Sequence, residues 1–559
     1  MRLAASNARR SATLQIVRSL RTSAPAASVA THSQTLDLSN PRVAFQASSS
    51  LDLVRGVAVL TACSQPWLVR HAEPVLALSR RLLGPTLTES LLRHTVFAHF
   101  VAGETAEGIR PLLSRLHGCG VGGILDYAAE ADLTTPQPSD EAAAAAVAPA
   151  AAASDYNQPA RVYLYESEAQ CDANTETFLR CITAVRDATP EGFAAVKVTA
   201  LGDPMLLERC STALIELQRF FATLDADGSG TLSRDEFVRG WLAAFKPSSD
   251  AVEVCGEAQA DAEAEAHARF DAIDTQGDGT IDALEWTQSL PLEALPGLVA
   301  QCRLAGPLYN ASLTTDEVDA MQRMLSRLDT IALTAKDAGV RLMIDAEHSV
   351  FQPAIDNAVL RLQRLHNGGE APVVFNTYQC YLRDCLPRLE LDLERSRREG
   401  WQFGAKLVRG AYMEHERARA AELGLADPIQ PTAEATHANY DAAVDLLLHS
   451  PPVPHSTWLM VATHNETSIV RAAGALLRGE ARVPSHQVAF GQLLGMADHL
   501  TFALGASGLK AYKYVPWGSV AEVVPYLLRR ATENADALSG APAQRAMMLR
   551  ELRRRVIGF

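Results

Sequence analysis

The stretch FGAKLVRG (403–410) is a short run of mostly small and apolar residues with a lysine near its centre and glycines at its second and last positions. It is too short for a helix of ordinary length. Its apolar residues hardly alternate with polar ones, as in a strand covered on both faces. Seven further runs share this character: GGILDYA (122–128), FAAVKVTA (193–200), GVRLMIDA (339–346), APVVFNT (371–377), TWLMVAT (457–463), QVAFG (487–491) and GLKAYKYV (508–515). Helical patterns separate them. Eight such strands predict an α/β fold of the closed (β/α)8 barrel type, with a doubly wound open sheet as the alternative.

In such a barrel the chemistry lies at the C-terminal ends of the strands. The residues there are Lys197, Asp345, Asn376, Lys406 with Arg409, His464, Gln492 and Tyr512 to Tyr514. Only six of the chain's 51 basic residues are lysines, yet Lys197, Lys406 and Lys513 fall within strand runs. A buried ammonium is costly unless paired, so the three predict a cationic ring with Asp345 as its internal acid. Near the C-terminus, YLLRRATEN (526–534) sets Arg529 and Arg530 beside the apolar face of a helix, with Glu533 on the same side. Adjacent arginines grip carboxylates in a forked geometry, and Glu533 suits an ammonium. Together these residues suit an amino- or keto-acid enzyme. A Schiff-base aldolase using Lys197 or Lys406 fits the same composition.

The rest of the chain frames this core. Residues 1–35 are rich in arginine and serine and contain no acid, the composition of a mitochondrial transit peptide. Residues 36–117 read as an N-terminal helical region, 118–213 as the first part of the barrel, 214–295 as an inserted acidic module and 296–559 as the remainder. An Ala/Pro-rich stretch at 132–160 reads as a low-complexity insertion. GCGVGG (118–123) has dinucleotide-fingerprint spacing, but a helix precedes it and a strand follows, the reverse of the order that motif needs. It predicts a helix cap and turn into the first strand. A net charge of −14 without a basic stripe argues against nucleic acid. The nine cysteines are scattered, odd in number and without a Cys-x-x-Cys pair, which suits reduced thiols.

The acidic module holds two calcium-loop patterns. DADGSGTLSRDE (225–236) offers Asp225, Asp227, Ser229, the Thr231 carbonyl, Ser233 and Glu236, with Gly230 at the sharp turn. DTQGDGTIDALE (274–285) offers Asp274, Gln276, Asp278, the Thr280 carbonyl, Asp282 and Glu285. Leu232 and Ile281 stand where paired loops meet, so the module reads as an all-α EF-hand pair binding Ca2+.

The runs FAAVKVTALGDP, RLMIDAEHSVFQPAID, VVFNTYQCYLRD, KLVRGAYMEHERARA, MVATHN and AYKYVPWG…YLLRRATEN occur in one order, and together they resemble the mitochondrial-type proline dehydrogenase family. The likeness spans about 193–534, with GVGGILDYAAEA extending it back to about 120. It implies an FAD-containing barrel that oxidises L-proline to 1-pyrroline-5-carboxylate. Electrons would pass to ubiquinone, with peripheral association at the matrix side of the inner mitochondrial membrane. Carried over position by position, Arg529 and Arg530 would bind the proline carboxylate with Lys197 assisting. Asp345, Tyr412, Leu500, Tyr514 and Glu533 would line the proline site. Asn376, Lys406, Val408, Gly410, Ala411, Thr463, His464, Asn465 and Gln492 would form the flavin-binding surface. Bacterial members have arginine at the Lys406 position and glutamine at the Asn376 position. Hydroxyproline dehydrogenase shares the framework but has a smaller residue where Tyr514 stands. A calcium-binding scaffold with an inactive barrel is the alternative from another class.

Overall fold

The computed structural model describes residues 36–128, 131–132, 161–163, 165–189, 191–246, 257–520, 522–536 and 541–557. The expected leader and, Asp132 apart, the Ala/Pro-rich insertion lie outside them.

All eight expected strands form. They are β1 (Val121–Tyr127), β2 (Phe193–Val196), β3 (Arg341–Ile344), β4 (Val374–Gln379), β5 (Phe403–Val408), β6 (Thr457–Ala462), β7 (Val488–Leu493) and β8 (Lys510–Trp517). Each pairs in parallel with its neighbours in chain order, and β1 pairs with both β2 and β8, which closes the barrel and excludes the open sheet. The helix Arg110–Gly118 ends where Gly120 turns with φ 74°, and β1 follows, as the glycine-rich stretch predicted. Gly122 is required for a second reason. A Cβ there would stand 2.4 Å from the ring of Tyr512 on the adjacent strand.

Alternate residues of a barrel strand point inward. Here Ile124, Phe193, Ala195, Met343, Phe375, Trp458, Met460, Ala489 and Tyr512 fill the interior as an apolar plug. Phe193 meets Phe375 and Tyr512 edge-to-face, at ring-centre distances of 5.3 and 5.1 Å. The intervening residues face the surrounding helices. Arg341 lies against the plug, its guanidinium 4.8 Å from the Trp458 ring centre, and the inward layer beyond the plug at the C-terminal strand ends is the active-site floor.

Lys513 is corrected by the same alternation. It stands between inward-facing Tyr512 and Tyr514 and so points outward, away from the expected lysine ring. There it is 1% exposed, pairs with Asp498 at 2.7 Å, and donates to the carbonyls of Met496 at 2.6 Å and Leu493 at 3.3 Å.

The EF-hand pair is grafted into the barrel's own helical layer. One continuous helix, Pro204–Leu224, follows the Lys197 loop and runs straight into the first calcium loop, so the boundary expected at 214 falls inside it. Asp203 caps its start by accepting from Met205 N–H at 2.9 Å. The loops pair through Leu232 opposite Ile281. Trp286 donates to the Leu217 carbonyl at 3.0 Å, and Asp282 meets Arg398 of the barrel helix Cys385–Glu399 at 2.6 Å. Leu232, Phe237, Ile281 and Trp286 share one apolar core with barrel residues such as Ile331, Leu342 and Ile355. The N-terminal helix Ser50–Cys63 packs on the C-terminal helix Ala541–Ile557.

Lys513→Met should leave the Asp498 charge and two buried carbonyls without their partner, costing about 3–5 kcal/mol in denaturant unfolding. The KM for the substrate should stay within about twofold, because the side chain faces away from the cavity.

Candidate active site

The layer above the plug is charged. Inward-facing Asp126 is the penultimate residue of β1, Lys197 follows β2, Asp345 follows β3, Lys406 lies on β5 and Tyr514 on β8. Lys197 Nζ lies 3.1 Å from Asp345 Oδ2 and 3.5 Å from Asp126 Oδ1. Lys406 Nζ binds Asp345 Oδ1, and the Tyr514 hydroxyl donates to Asp345 Oδ2 at 2.7 Å. Burial pushes the Asp345 carboxyl up. The charges of Lys406 and Lys197, with hydrogen bonds from Lys406 and Tyr514, overcome that and hold it well below the usual carboxylate range. Tyr514 is pushed far up by burial and by Asp126 and Asp345, so it remains a neutral donor.

These groups form the floor of a cavity of about 640 Å³, within the size range of small-molecule sites. Its wall is the helix Val524–Asp536, which presents Tyr526, Arg529 and Arg530. The Arg530 guanidinium lies 4.9 Å and that of Arg529 5.8 Å from the centre of the Tyr526 ring. Glu533 is on this helix, and its side chain lies outside the described residues. The cavity thus has an ionised acid among lysines on one side and two arginines on the other.

The third side runs along the ends of β4 to β7. Gln379, Val408, Gly410, Ala411, Thr463, His464, Asn465 and Gln492 all line the cavity there. Gly410 has φ 133°, and a Cβ on it would lie 2.3 Å from the ring of Tyr381. Arg409 steadies this edge by donating to Thr463 Oγ1 at 2.6 Å, Ser468 Oγ at 2.9 Å and His437 Nδ1 at 2.9 Å. Gln492 donates to the Thr463 carbonyl at 3.2 Å and accepts from Thr501 at 2.8 Å. His464 Nε2 accepts from Leu493 N–H at 3.0 Å, which requires an unprotonated Nε2. Burial, then the nearby cations Lys513, Arg530 and Arg409, drop its pKa to about 3.

Two sequence-derived site residues are not brought to the cavity. Asn376 lies on β4 with the opposite parity to inward-facing Phe375 and Thr377. It points outward and donates to Asp356 Oδ1 at 3.1 Å. Gln379 reaches the cavity from that strand, donating to the Glu347 carbonyl at 2.9 Å. Leu500 is 1% exposed and packs with Leu459, Val488 and Leu504 between barrel and helices. Leu493 is the leucine at the cavity. Tyr412 does line it, with its ring 4.2 Å from that of His348.

Asp126, Gln379, Leu493 and Tyr526 went unnoticed in the sequence, although strand parity marks the first three. Glu347 gave no signal at all. Fully buried, it accepts from Thr199 N–H at 3.1 Å and Thr199 Oγ1 at 2.5 Å. That bond ties the loop carrying Lys197 to the loop carrying Asp345. Burial raises its pKa to about 7.

In the first calcium loop, ligand oxygens of Asp225, Asp227 and Glu236 lie within 4.8 Å of one another. The Ser229 hydroxyl donates to the Thr231 carbonyl at 3.0 Å beside them. In the second loop, Asp274 accepts from Gly277 and Gly279 N–H, and Asp278 from Thr280. Glu285 Oε1 accepts from Gln276 N–H at 2.9 Å. Among the described residues, only the first loop gathers three acidic groups so closely.

The sequence profile of the proline dehydrogenase family matches residues 244–541, and that of the EF hand matches 217–241. The chain belongs to the proline dehydrogenase family. It is 39% identical over 550 residues to "Proline dehydrogenase 1, mitochondrial" of Homo sapiens, covering 93% of this chain and 90% of that one. It is 33% identical over 527 residues to "Hydroxyproline dehydrogenase" of Bos taurus, covering 92% of each. A crystal structure of proline utilization A from Bdellovibrio bacteriovorus aligns with 15% identity and a TM-score of 0.49, over 88% of this chain and 38% of that one.

Because His464 is neutral in the fold but titrates near 6.5 when unfolded, its contribution to stability is full above pH 6.5. It is lost as pH falls from there towards 3, by up to about 1.4 kcal/mol per pH unit. His464→Asn should flatten the stability profile over that window in denaturant titrations. An unchanged slope would mean that the imidazole is not the group responsible.

Proposed function

We propose that this protein is a mitochondrial oxidoreductase that oxidises L-proline to 1-pyrroline-5-carboxylate with FAD and delivers the electrons to ubiquinone at the matrix face of the inner membrane. The observation that carries the reading is the pairing across one cavity of Arg529 and Arg530 with the Lys197–Asp345–Lys406–Tyr514 layer. Family membership, and relatives named as mitochondrial enzymes, support the same reading.

The residues present suit a flavin. Along β5 to β7 the cavity wall is made of Val408, Gly410, Ala411, Ala462 and Gly491, a low surface that admits a flat ring system. Gln379, Lys406, Thr463, Asn465 and Gln492 border it with hydrogen-bonding groups suited to the ring's alternating nitrogen and oxygen atoms. Asn465 also caps the helix Glu466–Leu477, accepting from Ser468 N–H at 3.0 Å. When bound, FAD supplies the two-electron acceptor of the reaction.

The chain's own part is binding, orientation and charge. Proline oxidation removes a hydride from the ring carbon beside nitrogen and a proton from nitrogen, leaving a C=N bond. Arg529 and Arg530 hold the substrate carboxylate and thereby fix that carbon, which is catalysis by orientation. The surrounding Lys197, Lys406, Arg529 and Arg530 favour the neutral amine over the ammonium, the form that can be oxidised. Asp345 stays ionised and holds both lysines and Tyr514 in place. The plug below and the Tyr526 helix above limit water.

Oxidation of hydroxyproline is the second reading, supported by the less similar bovine relative. Tyr514 argues against it. Its ring occupies the cavity floor with its hydroxyl committed to Asp345, where an added substrate hydroxyl would need room.

We place a calcium ion in the first loop, on Asp225, Asp227, Ser229, the Thr231 carbonyl and Glu236. The shared helix Pro204–Leu224 connects that loop to the Lys197 loop, so ion binding would tune the position of Lys197. Equal kcat/KM in calcium and in chelator would overturn this coupling.

Arg530→Met should raise the KM for proline about 10- to 150-fold, the value of one lost charge-assisted bond, and an unchanged KM would sink the carboxylate clamp. Tyr514→Ser should shift kcat/KM towards trans-4-hydroxy-L-proline relative to proline. A preference for hydroxyproline in the unaltered protein would instead favour the second reading.

A further inference from the structure

The helix Ala72–Leu83 has no buried residue. It joins the helix Pro85–Leu92 through Gly84, and the two pack on each other as a hairpin. Leu78, Leu82, Leu83, Leu87 and Leu91 are between 49 and 74% exposed, and Trp67, just before the hairpin, is 64% exposed. Leucines four apart on a helix share one face. Here that spacing links Leu78 to Leu82 and Leu87 to Leu91. Single exposed leucines need no explanation, but such a run on adjoining short helices exceeds what a soluble surface ordinarily carries.

Charge identifies what covers this face. The chain as a whole carries −14. Residues 66–94 nevertheless hold Arg70, Arg80, Arg81 and Arg93 against only Glu73 and Glu89. Arg70, Arg80 and Arg81 are exposed beside the leucines. Leucines with flanking arginines and an exposed tryptophan match a helix lying in the interface of an anionic bilayer. In a two-fold contact through this face the same arginines would meet one another, so a second copy is a poorer match. Among the described residues no helix is long and apolar enough to cross a membrane, so contact through this face would be peripheral.

The location adds a functional sense. The helix Pro66–Arg70, which carries Trp67, packs against Val524–Asp536, the helix that presents Arg529 and Arg530 to the cavity. Val59 and Cys63 on one side and Tyr526 and Leu527 on the other belong to one apolar cluster. We propose that the hairpin Ala72–Leu92 is the membrane-docking element of this protein. It seats the leucine face and Trp67 in an anionic lipid surface and sets the cavity's arginine helix next to that surface. The inference deepens the proposed transfer of electrons to a membrane quinone, and lipid binding is read without turnover so that the two can fail separately.

The test is co-flotation of the full chain with phosphatidylcholine vesicles with and without cardiolipin. The unaltered protein should float with the cardiolipin vesicles and bind pure phosphatidylcholine much less. A variant combining Leu78→Ser, Leu82→Ser, Leu87→Ser and Leu91→Ser should bind the anionic vesicles at least about tenfold less. Its proline oxidation with a water-soluble electron acceptor should be unchanged, since these exposed residues touch nothing in the cavity. Arg80→Gln with Arg81→Gln should weaken binding and reduce its salt sensitivity. Flotation of the serine variant equal to that of the unaltered protein would overturn the proposal. So would a fall in native mass on introducing the serines, which would assign the face to a second copy of the chain.

Discussion

A carboxylate buried at the top of an apolar barrel is tolerable only if its charge is matched on the spot. Asp345 is such a group, and most of the active site follows from how it is matched. Lys406 comes from β5, Lys197 from the end of β2, and Tyr514 from β8, so one residue ties together four strand ends around the ring. The breakage of a buried pair of this kind costs about 3–5 kcal/mol, which makes the site part of what holds the barrel mouth in shape. Glu347 extends the arrangement outward by fastening the Lys197 loop through Thr199. The same bonds that satisfy the buried charge leave a cluster of cations facing Arg529 and Arg530, which is the field an amino acid carboxylate needs.

Much of this was legible because strands obey a period of two. Lys406, Val408 and Gly410 share the inward parity of β5, and a lysine on that parity just above an apolar plug had to be paired. The misreadings came from neglecting the same rule. Asn376 was chosen for its chemistry although Phe375 and Thr377 on either side face inward, and Gln379 was the residue in phase. Lys513 is a buried lysine in a strand, as expected, but its neighbours Tyr512 and Tyr514 occupy the inward positions. Leu500 stands on the helix Asp498–Ala506 and Leu493 at the end of a strand, a choice that residue type alone cannot make. Tyr526 reaches the cavity through helix docking, and Glu347 fastens two loops away from the cavity lining, so neither leaves a local pattern. Asp126 could have been found, since an acid on an otherwise apolar strand needs a nearby cation.

The inserted EF-hand pair shows how an insertion can be carried without disturbing a closed barrel. It enters along a helix the barrel already needs, Pro204–Leu224, and returns before Thr315–Ala338 leads into β3. The two loops share a sequence pattern but differ in their contacts. The first gathers its acids, while the second gives Asp282 to Arg398 and so anchors the module to the barrel. At the other end of the chain's organisation, the N-terminal helices support the arginine helix from outside. The hairpin that follows Pro66–Arg70 carries Leu78, Leu82, Leu83, Leu87 and Leu91 as exposed apolar side chains. The cavity's neighbours are thus linked through two helices, Pro204–Leu224 leading to the first acidic loop and Val524–Asp536 packing against the N-terminal helices.

The central claim is that the cavity joins a flavin to proline, and anaerobic mixing of the purified, flavin-loaded protein with L-proline tests it most directly. The account predicts that L-proline bleaches the oxidised flavin absorbance fully, and that trans-4-hydroxy-L-proline does so far more slowly. A protein that retains no flavin after reconstitution, or a bound flavin that proline leaves oxidised, would contradict it.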